Sequence, residues 1–170
     1  MSMTAKQRRA LMSSATPEWY TPDSLHTRIV AFLGGDVYDP CAKPAHAPIG
    51  LAGRENGLAA TWRGHVFLNP PYGRGIGAWI RKAITEPLDE AILLIPARTD
   101  TRWFQPLFDH TILFIRGRLH FSEGGPATFP SVLVYIGPRR EAFASAFADL
   151  GRVTTCQPVV RLATLWEVTA

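Results

Sequence analysis

The chain has little cysteine, few lysines and no long apolar run. Its 170 residues include two cysteines, Cys41 and Cys156, which are too few for a disulfide framework or a four-cysteine zinc site. Apolar runs such as residues 91–95 have the length of a β-strand, well short of the roughly 18–20 residues that span a bilayer. No apolar stretch follows the basic residues near the start, so the chain does not begin like a secretory signal. These features predict a metal-free, cytoplasmic protein without a membrane span.

Charge is the compositional feature that bears most on partners. Hydrophobic residues make up 46% and charged residues 19% of the chain, a globular rather than a disordered balance. Eighteen basic residues against fourteen acidic residues give a formal net charge of +4, and fifteen of the eighteen are arginine. Arginine makes paired hydrogen bonds to phosphate and stacks on flat rings, so this bias is compatible with a nucleic-acid partner. The net charge is modest, and alone it leaves the question open.

Short apolar runs alternate with helix-spaced segments, which predicts an α/β domain. We expect a flexible tail over residues 1–15 and a single domain over residues 16–170. Continuous apolar strands are typical of sheets covered on both faces, so a mostly parallel sheet with helices on both faces is predicted. The last two strong strands are joined without a helical pattern, which predicts an antiparallel hairpin at one edge. The predicted strands are residues 37–40, 49–52, 65–68, 91–95, 111–115, 131–136 and 159–168, and helices are predicted over 22–33, 76–84 and 139–150.

The first predicted helix has clear signals at both ends. Pro22 suits a first helical turn, because its fixed φ is helical and its missing N–H is not needed there. Thr21 precedes it and is therefore placed to cap the helix with its hydroxyl. Gly34 follows the last helix-spaced apolar residue and is expected to end the helix.

Asn69-Pro70-Pro71-Tyr72 follows an apolar strand directly and is the segment best suited to chemistry. Its two prolines fix the backbone and donate no N–H, so the loop is stiff. The Asn69 amide oxygen and the Pro70 carbonyl can each accept a hydrogen bond from an NH₂ group, while Tyr72 can stack on the ring that carries it. These groups suit activation of a planar amine without a charged base. A strand exit bounded by proline, with a buried tyrosine, is the simpler alternative.

Seven segments in a fixed order carry a resemblance to a known family. They are Glu18-Trp19-Tyr20-Thr21-Pro22, Tyr38-Asp39-Pro40-Cys41-Ala42, Asn56-Gly57-Leu58 with Trp62, and residues 66–74, 94–104, 116–121 and 130–137. In these segments residues 16–138 resemble the small, phage-associated DNA N6-adenine methyltransferase (Dam) family, whose members depend on S-adenosylmethionine. The resemblance implies a Rossmann-like methyltransferase sheet and methyl transfer to the N6 amino group of adenine in DNA.

The resemblance also implies roles for particular residues. The loop Asn69-Pro70-Pro71-Tyr72 is expected to be catalytic and to hold adenine N6. Asp39-Pro40-Cys41-Ala42 is expected to form the methionine side of the cofactor pocket, and Thr21 and Pro22 are expected to lie against the cofactor. The simpler alternatives are a helix start for Thr21-Pro22 and a small buried side chain for Cys41.

The segment after Asp39-Pro40 departs from a pattern common among amino methyltransferases. A G-x-G turn often follows that position, but here the chain continues Cys41-Ala42-Lys43-Pro44-Ala45-His46. The adenosine half of the cofactor must then be held by other residues. Glu55 is the candidate for its ribose hydroxyls and Asn56 for its adenine, while an exposed Glu55 in a glycine-flanked turn is the alternative.

A DNA substrate has to present adenine N6, which is buried in a duplex. The base is therefore expected to be flipped out or taken from a single strand, and arginines at the pocket mouth are expected to contact phosphates. Each arginine could instead be solvated or ion-paired. Methylation of RNA adenine or of a protein glutamine, and a non-catalytic nucleic-acid-binding relic of the fold, are alternative functions. The candidate substrate contacts are Arg74, Arg98, Arg102, Trp103 and Arg118.

Overall fold

The computed structural model describes residues 19–34, 36–42, 57–121 and 126–155, which build a six-stranded sheet and three α-helices. The predicted tail and the predicted strands at 49–52 and 159–168 lie outside these residues. In chain order the elements are α1 (Asp23–Leu33), β1 (Val37–Tyr38), β2 (Gly64–Leu68), α2 (Ile76–Thr85), β3 (Leu88–Pro96), a 3₁₀ helix (Gln105–Asp109), β4 (Thr111–Ile115), β5 (Ser131–Ile136), α3 (Arg140–Ala146), a second 3₁₀ helix (Ala148–Leu150) and β6 (Gly151–Thr155).

The helices cover both faces of the sheet, as predicted. Successive side chains of a strand point to opposite faces, so Ile92 and Leu94 of β3 pack in one apolar layer with α1 and α3. Ala91 and Leu93 pack in the other layer with α2. No helix within the described ranges is long and apolar enough to cross a membrane. The buried helix residues recur at helical spacing and are Leu25, Ile29 and Leu33 in α1, Ile76, Ile80 and Ala83 in α2, and Phe143 in α3.

The strand order is β1-β2-β3-β5-β4-β6, and the prediction of a mostly parallel sheet is wrong. Only β1, β2 and β3 pair in parallel, whereas β5 runs antiparallel to both β3 and β4, and β6 runs antiparallel to β4. The β4–β5 hairpin is also not at an edge, because β6 covers β4. The described residues between β4 and β5 contain no crossover helix of the kind that joins parallel strands, which fits the antiparallel pairing of these two strands. Five of the six residues of β5 are buried, which suits the interior of the sheet.

The pairing collects four chain segments at one edge of the sheet, here called the carboxyl edge. The parallel strands β1, β2 and β3 all end there. β4 ends there as well, because it is antiparallel to β5, which is antiparallel to β3. In open α/β sheets ligands bind outside the carboxyl ends of the strands, so this edge is where a site is expected.

A buried polar network lies at the opposite edge of the sheet. Glu90 of β3 is only 5% exposed, and its Oε1 accepts hydrogen bonds from the Tyr135 hydroxyl at 2.5 Å and from Arg139 Nε at 2.6 Å. Arg139 Nη2 donates to Glu90 Oε2 and, at 3.0 Å, to the carbonyl of Phe32 in α1. Hydrogen bonds from Arg139 hold the pKa of Glu90 below its usual range, and burial raises the pKa of Tyr135 to about 12. The network links β3, β5, α1 and the start of α3.

Arg139→Ala is expected to lower the free energy of unfolding by about 1–3 kcal/mol at neutral pH, because Glu90 loses its charge partner. The effect stays below that of a fully buried pair, since the Arg139 side chain is 44% exposed. Because the pKa of Glu90 is lower in the folded protein, its carboxylate contributes stability above its ordinary pKa of 4.5. This contribution is lost as the pH falls through the folded pKa. The difference in stability between the variant and the unmodified protein should therefore shrink in acid. Urea denaturation measures it, with the exposed neighbour Arg140→Ala as control. Equal stability of the two variants would contradict the network.

Candidate active site

β1 ends in a tight turn that Asp39 holds with its own side chain. Asp39 Oδ1 accepts the backbone N–H of Cys41 at 2.8 Å, and the Asp39 carbonyl accepts that of Ala42 at 3.3 Å. Such a turn is typical of aspartate, whose carboxylate bonds the backbone two residues further on. Burial raises the pKa of Asp39 to about 6, although the hydrogen bond from the Cys41 N–H to the carboxylate opposes the shift. Burial also raises the pKa of the Cys41 thiol, which therefore stays protonated at neutral pH.

Gly57 packs its backbone directly on this turn. A Cβ at Gly57 would lie 2.0 Å from the carbonyl oxygen of Pro40, so only glycine fits. Trp62, fully buried, donates from its Nε1 to the Gly57 carbonyl at 2.7 Å and fixes the segment from the other side. No local pattern pointed to this contact, although glycine is the usual signal of close backbone approach. Glu55 and Asn56 lie outside the described residues, and their cofactor roles stay predictions.

Asn69 follows β2 and is held by residues from the start of the described chain. Its Nδ2 donates to the carbonyl of Trp19 at 2.6 Å and to the hydroxyl of Thr21 at 3.0 Å. Its Oδ1 is buried and has no hydrogen-bond partner in the part of the chain that the structure describes. A buried polar atom without a partner costs about 1–3 kcal/mol. This oxygen is therefore an acceptor that a bound donor would satisfy.

The expected helix cap by Thr21 is wrong. Helix α1 begins at Asp23, and its N-cap position is Pro22, one residue after Thr21. The Thr21 hydroxyl instead accepts a hydrogen bond from Asn69. A threonine before a proline looks the same in sequence whichever partner its hydroxyl takes, which explains the error.

Four aromatic rings contact one another and form what is here called the aromatic cluster: Trp19, Tyr72, Phe121 and Phe129. Trp19 lies 5.0 Å from Phe121 and 5.3 Å from Phe129 between ring centroids, and Tyr72 lies 5.5 Å from Phe129. The Tyr72 ring is half-buried, and its hydroxyl donates to the Leu94 carbonyl of β3 at 3.1 Å. Burial raises the pKa of Tyr72. Sequence patterns assigned a role to Tyr72 alone, because its three partners lie far from it in the chain.

The candidate substrate contacts follow the strand ends of the carboxyl edge. Arg74 lies between the Asn69 loop and α2, Arg98 and Arg102 follow β3, and Arg118 follows β4; all four are exposed. Trp103 is half-buried and packs closely on Gly77 of α2. A Cβ added at Gly77 would lie only 3.3 Å from the Cβ of Trp103. Trp103 therefore braces α2, and a contact with substrate stays a prediction.

Direct contacts join two of the predicted site segments. Thr21 is bonded to Asn69, and the side chains of Cys41 and Tyr72 pack in the same apolar layer. The Asp39 turn and the Asn69 loop also end neighbouring strands, because Tyr38 of β1 pairs with Val66 of β2. Within the described ranges, no group of three or more potential metal ligands occurs.

A sheet edge with a stiff proline loop and a buried amide oxygen that lacks a partner among the described residues is suited to binding a planar amine. Comparison with known families places the chain in a class with that chemistry. The chain belongs to the DNA N-6-adenine-methyltransferase (Dam) family, whose family model matches residues 9–131. That match includes the Asp39 turn, the Asn69 loop and the aromatic cluster. No curated protein and no solved structure matches the chain.

Gly57→Ala is expected to destabilise the protein by about 1–3 kcal/mol, because the new methyl group overlaps the Pro40 carbonyl and either the turn or the segment must move. Gly73→Ala is the matched control, since a Cβ there meets no atom within 4 Å. Urea denaturation of the two variants measures the difference. A Gly57 variant as stable as the Gly73 variant would rule out the close approach.

Asp39→Asn is expected to raise the free energy of unfolding above about pH 6 by an amount on the order of 1 kcal/mol. Because the pKa of Asp39 is raised in the folded protein, its protonated form contributes stability that is complete below the ordinary pKa of 3.8. This contribution is lost as the pH rises through the folded pKa of about 6. Asparagine keeps an oxygen for the Cys41 N–H and carries no charge. Melting temperatures across pH measure the effect, and the exposed Asp36→Asn is the control. No gain in alkaline buffer would contradict a destabilising carboxylate.

Proposed function

We propose that this chain is an S-adenosylmethionine-dependent methyltransferase that acts on the N6 amino group of adenine in DNA. The observation that carries the proposal is the Asn69 amide, whose nitrogen is held and whose Oδ1 is buried without a partner among the described residues. An exocyclic amine is a donor of the right kind for that oxygen. Membership of the Dam family supports adenine in DNA as the group that presents it.

The residues of the loop support direct transfer to the amine. Asn69 Oδ1 and the Pro70 carbonyl would accept the two N6 hydrogens, which draws the nitrogen lone pair out of conjugation with the ring. Tyr72 would act through its ring, because its hydroxyl is committed to the Leu94 carbonyl and burial keeps it protonated. Cys41 stays a thiol for the same reason and is not a nucleophile. Neither side chain is available as a charged base, so the proton that the methylated nitrogen must lose would pass to solvent after the methyl group has left the sulfonium.

The Asp39 turn is the part of the chain that fits the methionine half of the cofactor. S-adenosylmethionine supplies an electrophilic methyl group on a cationic sulfonium and also carries an ammonium group. Burial opposes the ionisation of Asp39, so a cationic ligand beside the carboxylate would favour its charged form. Pro40, Cys41 and Ala42 complete the turn, and Pro22 adjoins Thr21 at the Asn69 loop. In this proposal the sheet is a Rossmann-like variant whose second half is antiparallel.

The exposed arginines favour nucleic acid over protein as the substrate. Arg74, Arg98, Arg102 and Arg118 all lie along the carboxyl edge, and exposed arginines there suit the phosphates on either side of a target base. Adenine would reach Asn69 from a single strand or after flipping out of a duplex. Binding through these side chains should weaken as salt rises, because phosphate contacts release counterions.

Incubation of the purified chain with labelled S-adenosylmethionine and separate pools of DNA, RNA and protein tests the function. Label in DNA, recovered as N6-methyladenine, is expected. Label in RNA or on protein glutamine would move the activity to one of those substrates. A calorimetric titration with the cofactor that gives no heat, together with no label in any pool, would identify a non-catalytic relic of the family.

Asn69→Ala and Tyr72→Ala are each expected to lower the rate of DNA methylation on the order of a hundredfold or more, because the acceptor and the stacking ring are lost. Tyr72→Phe keeps the ring and should keep most of the rate. It should lose only about 1 kcal/mol of stability with the hydrogen bond to Leu94. Single-turnover rates and cofactor affinity, measured on the same preparations, separate lost chemistry from lost binding. Full activity of both alanine variants would refute the proposed mechanism.

A further inference from the structure

We infer that Thr21 is a positioning residue that, together with the main-chain carbonyl of Trp19, fixes the direction in which the Asn69 amide points. The inference rests on the proposed function and adds a residue to the same site. It replaces the role against the cofactor that the family resemblance implied for Thr21. The juxtaposition that carries it is the pair of hydrogen bonds from Asn69 Nδ2, at 2.6 Å to Trp19 and 3.0 Å to Thr21.

The amide group of an asparagine can adopt two orientations that differ by exchange of its oxygen and its NH₂ group. Its oxygen and its NH₂ group have similar size, so hydrogen-bond partners decide which of them points into a site. The Trp19 carbonyl can only accept, and it therefore requires the NH₂ group of Asn69 on its side. A flipped amide would place Oδ1 against that carbonyl, with two acceptors and no hydrogen between them. The backbone of residue 19 thus sets the direction.

Thr21 takes the second hydrogen of the same NH₂ group. With both hydrogens used, Asn69 has only Oδ1 left to offer, and that atom is buried without a partner in the described part of the chain. The pair of acceptors therefore makes Asn69 a pure acceptor toward a ligand. A ligand with an exocyclic amine can donate a hydrogen bond to Asn69 Oδ1. A ligand with an exocyclic carbonyl in the same place would bring its own acceptor against Oδ1, with no hydrogen between the two oxygens. Thr21 in this way contributes to the choice of an amine over a carbonyl.

Packing keeps the two acceptors in place across a long stretch of chain. The contacts from Asn69 span 50 residues to Trp19 and 48 residues to Thr21. The Trp19 ring is held by Phe121 and Phe129, and Phe129 also contacts Tyr72. Pro22, next to Thr21, accepts the N–H of His26 with its carbonyl at 2.9 Å and so ties the segment to α1. The amide direction is thereby coupled to the position of the Tyr72 ring.

Thr21→Val tests the role, because it keeps the shape of the side chain and removes the acceptor. The single-turnover rate of methylation at saturating cofactor is expected to fall roughly five- to tenfold, while cofactor affinity and the KM for DNA stay within about twofold. Thr21→Ser restores a hydroxyl and should recover most of the rate. Thr27→Val makes the same chemical change at an exposed position of α1 and should change nothing. Weaker cofactor binding with an unchanged rate would instead make Thr21 a cofactor contact and overturn the inference.

A second measurement does not depend on catalysis. In ¹⁵N-labelled protein, the Asn69 side-chain NH₂ signals are identified by their loss in Asn69→Ala, and their hydrogen exchange is followed. Both hydrogens should exchange slowly, and one should exchange faster in Thr21→Val. If that holds in a protein without methyltransferase activity, the inference about Thr21 stands and the proposed function fails. Fast exchange of both hydrogens in the unmodified chain would overturn the inference whatever the activity.

Discussion

The hydrogen bond from Asn69 Nδ2 to the Trp19 carbonyl is the interaction on which the carboxyl edge depends. It joins the segment before α1 to the end of β2, so the two walls of the site come from parts of the chain 50 residues apart. Because this bond and the one to Thr21 hold the amide by its nitrogen, only its oxygen is left for the donor that the proposed function requires. That oxygen stays unsatisfied among the described residues. A buried acceptor without a hydrogen bond costs free energy in the ligand-free protein, and a bound donor would remove that cost.

The antiparallel half of the sheet has a part in the site as well as in the core. Because β4 ends and β5 begins at the carboxyl edge, residues 116–121 leave the sheet at that edge and residues 126–130 return to it. The two segments are joined there by the hydrogen bond from the Ala127 N–H to the Leu119 carbonyl at 2.8 Å. This return brings Phe121 and Phe129 against Trp19 and Tyr72. A crossover helix after β4, as in a fully parallel sheet, would have carried those residues away from the edge.

Sequence patterns predicted the three helices, the strands β1 to β5 and the loop, since these follow from local physics, but they missed β6 (Gly151–Thr155). The apolar run of β3, the spacing of Ile76 and Ile80 in α2, and the stiff Asn69 loop are properties of neighbouring residues. Strand order, in contrast, depends on contacts between residues that are distant in the sequence. Nothing within β5 states that it pairs with β3, and Gly57 does not reveal in sequence that it meets Pro40. Thr21 was misassigned as a cap for the same reason, because its partner Asn69 lies 48 residues away.

The two ends of β3 divide the tasks of the molecule between them. At its start, Glu90 has its charge fully compensated by Arg139 and Tyr135. At its other end, Leu94 anchors the Tyr72 ring beside an oxygen that nothing described compensates. The compensated charge of Glu90 and the uncompensated oxygen of Asn69 thus lie at opposite ends of the sheet. Substitutions near Glu90 would therefore change how much folded protein a cell maintains, whereas substitutions near Asn69 would act on the group from which the proposed function is argued.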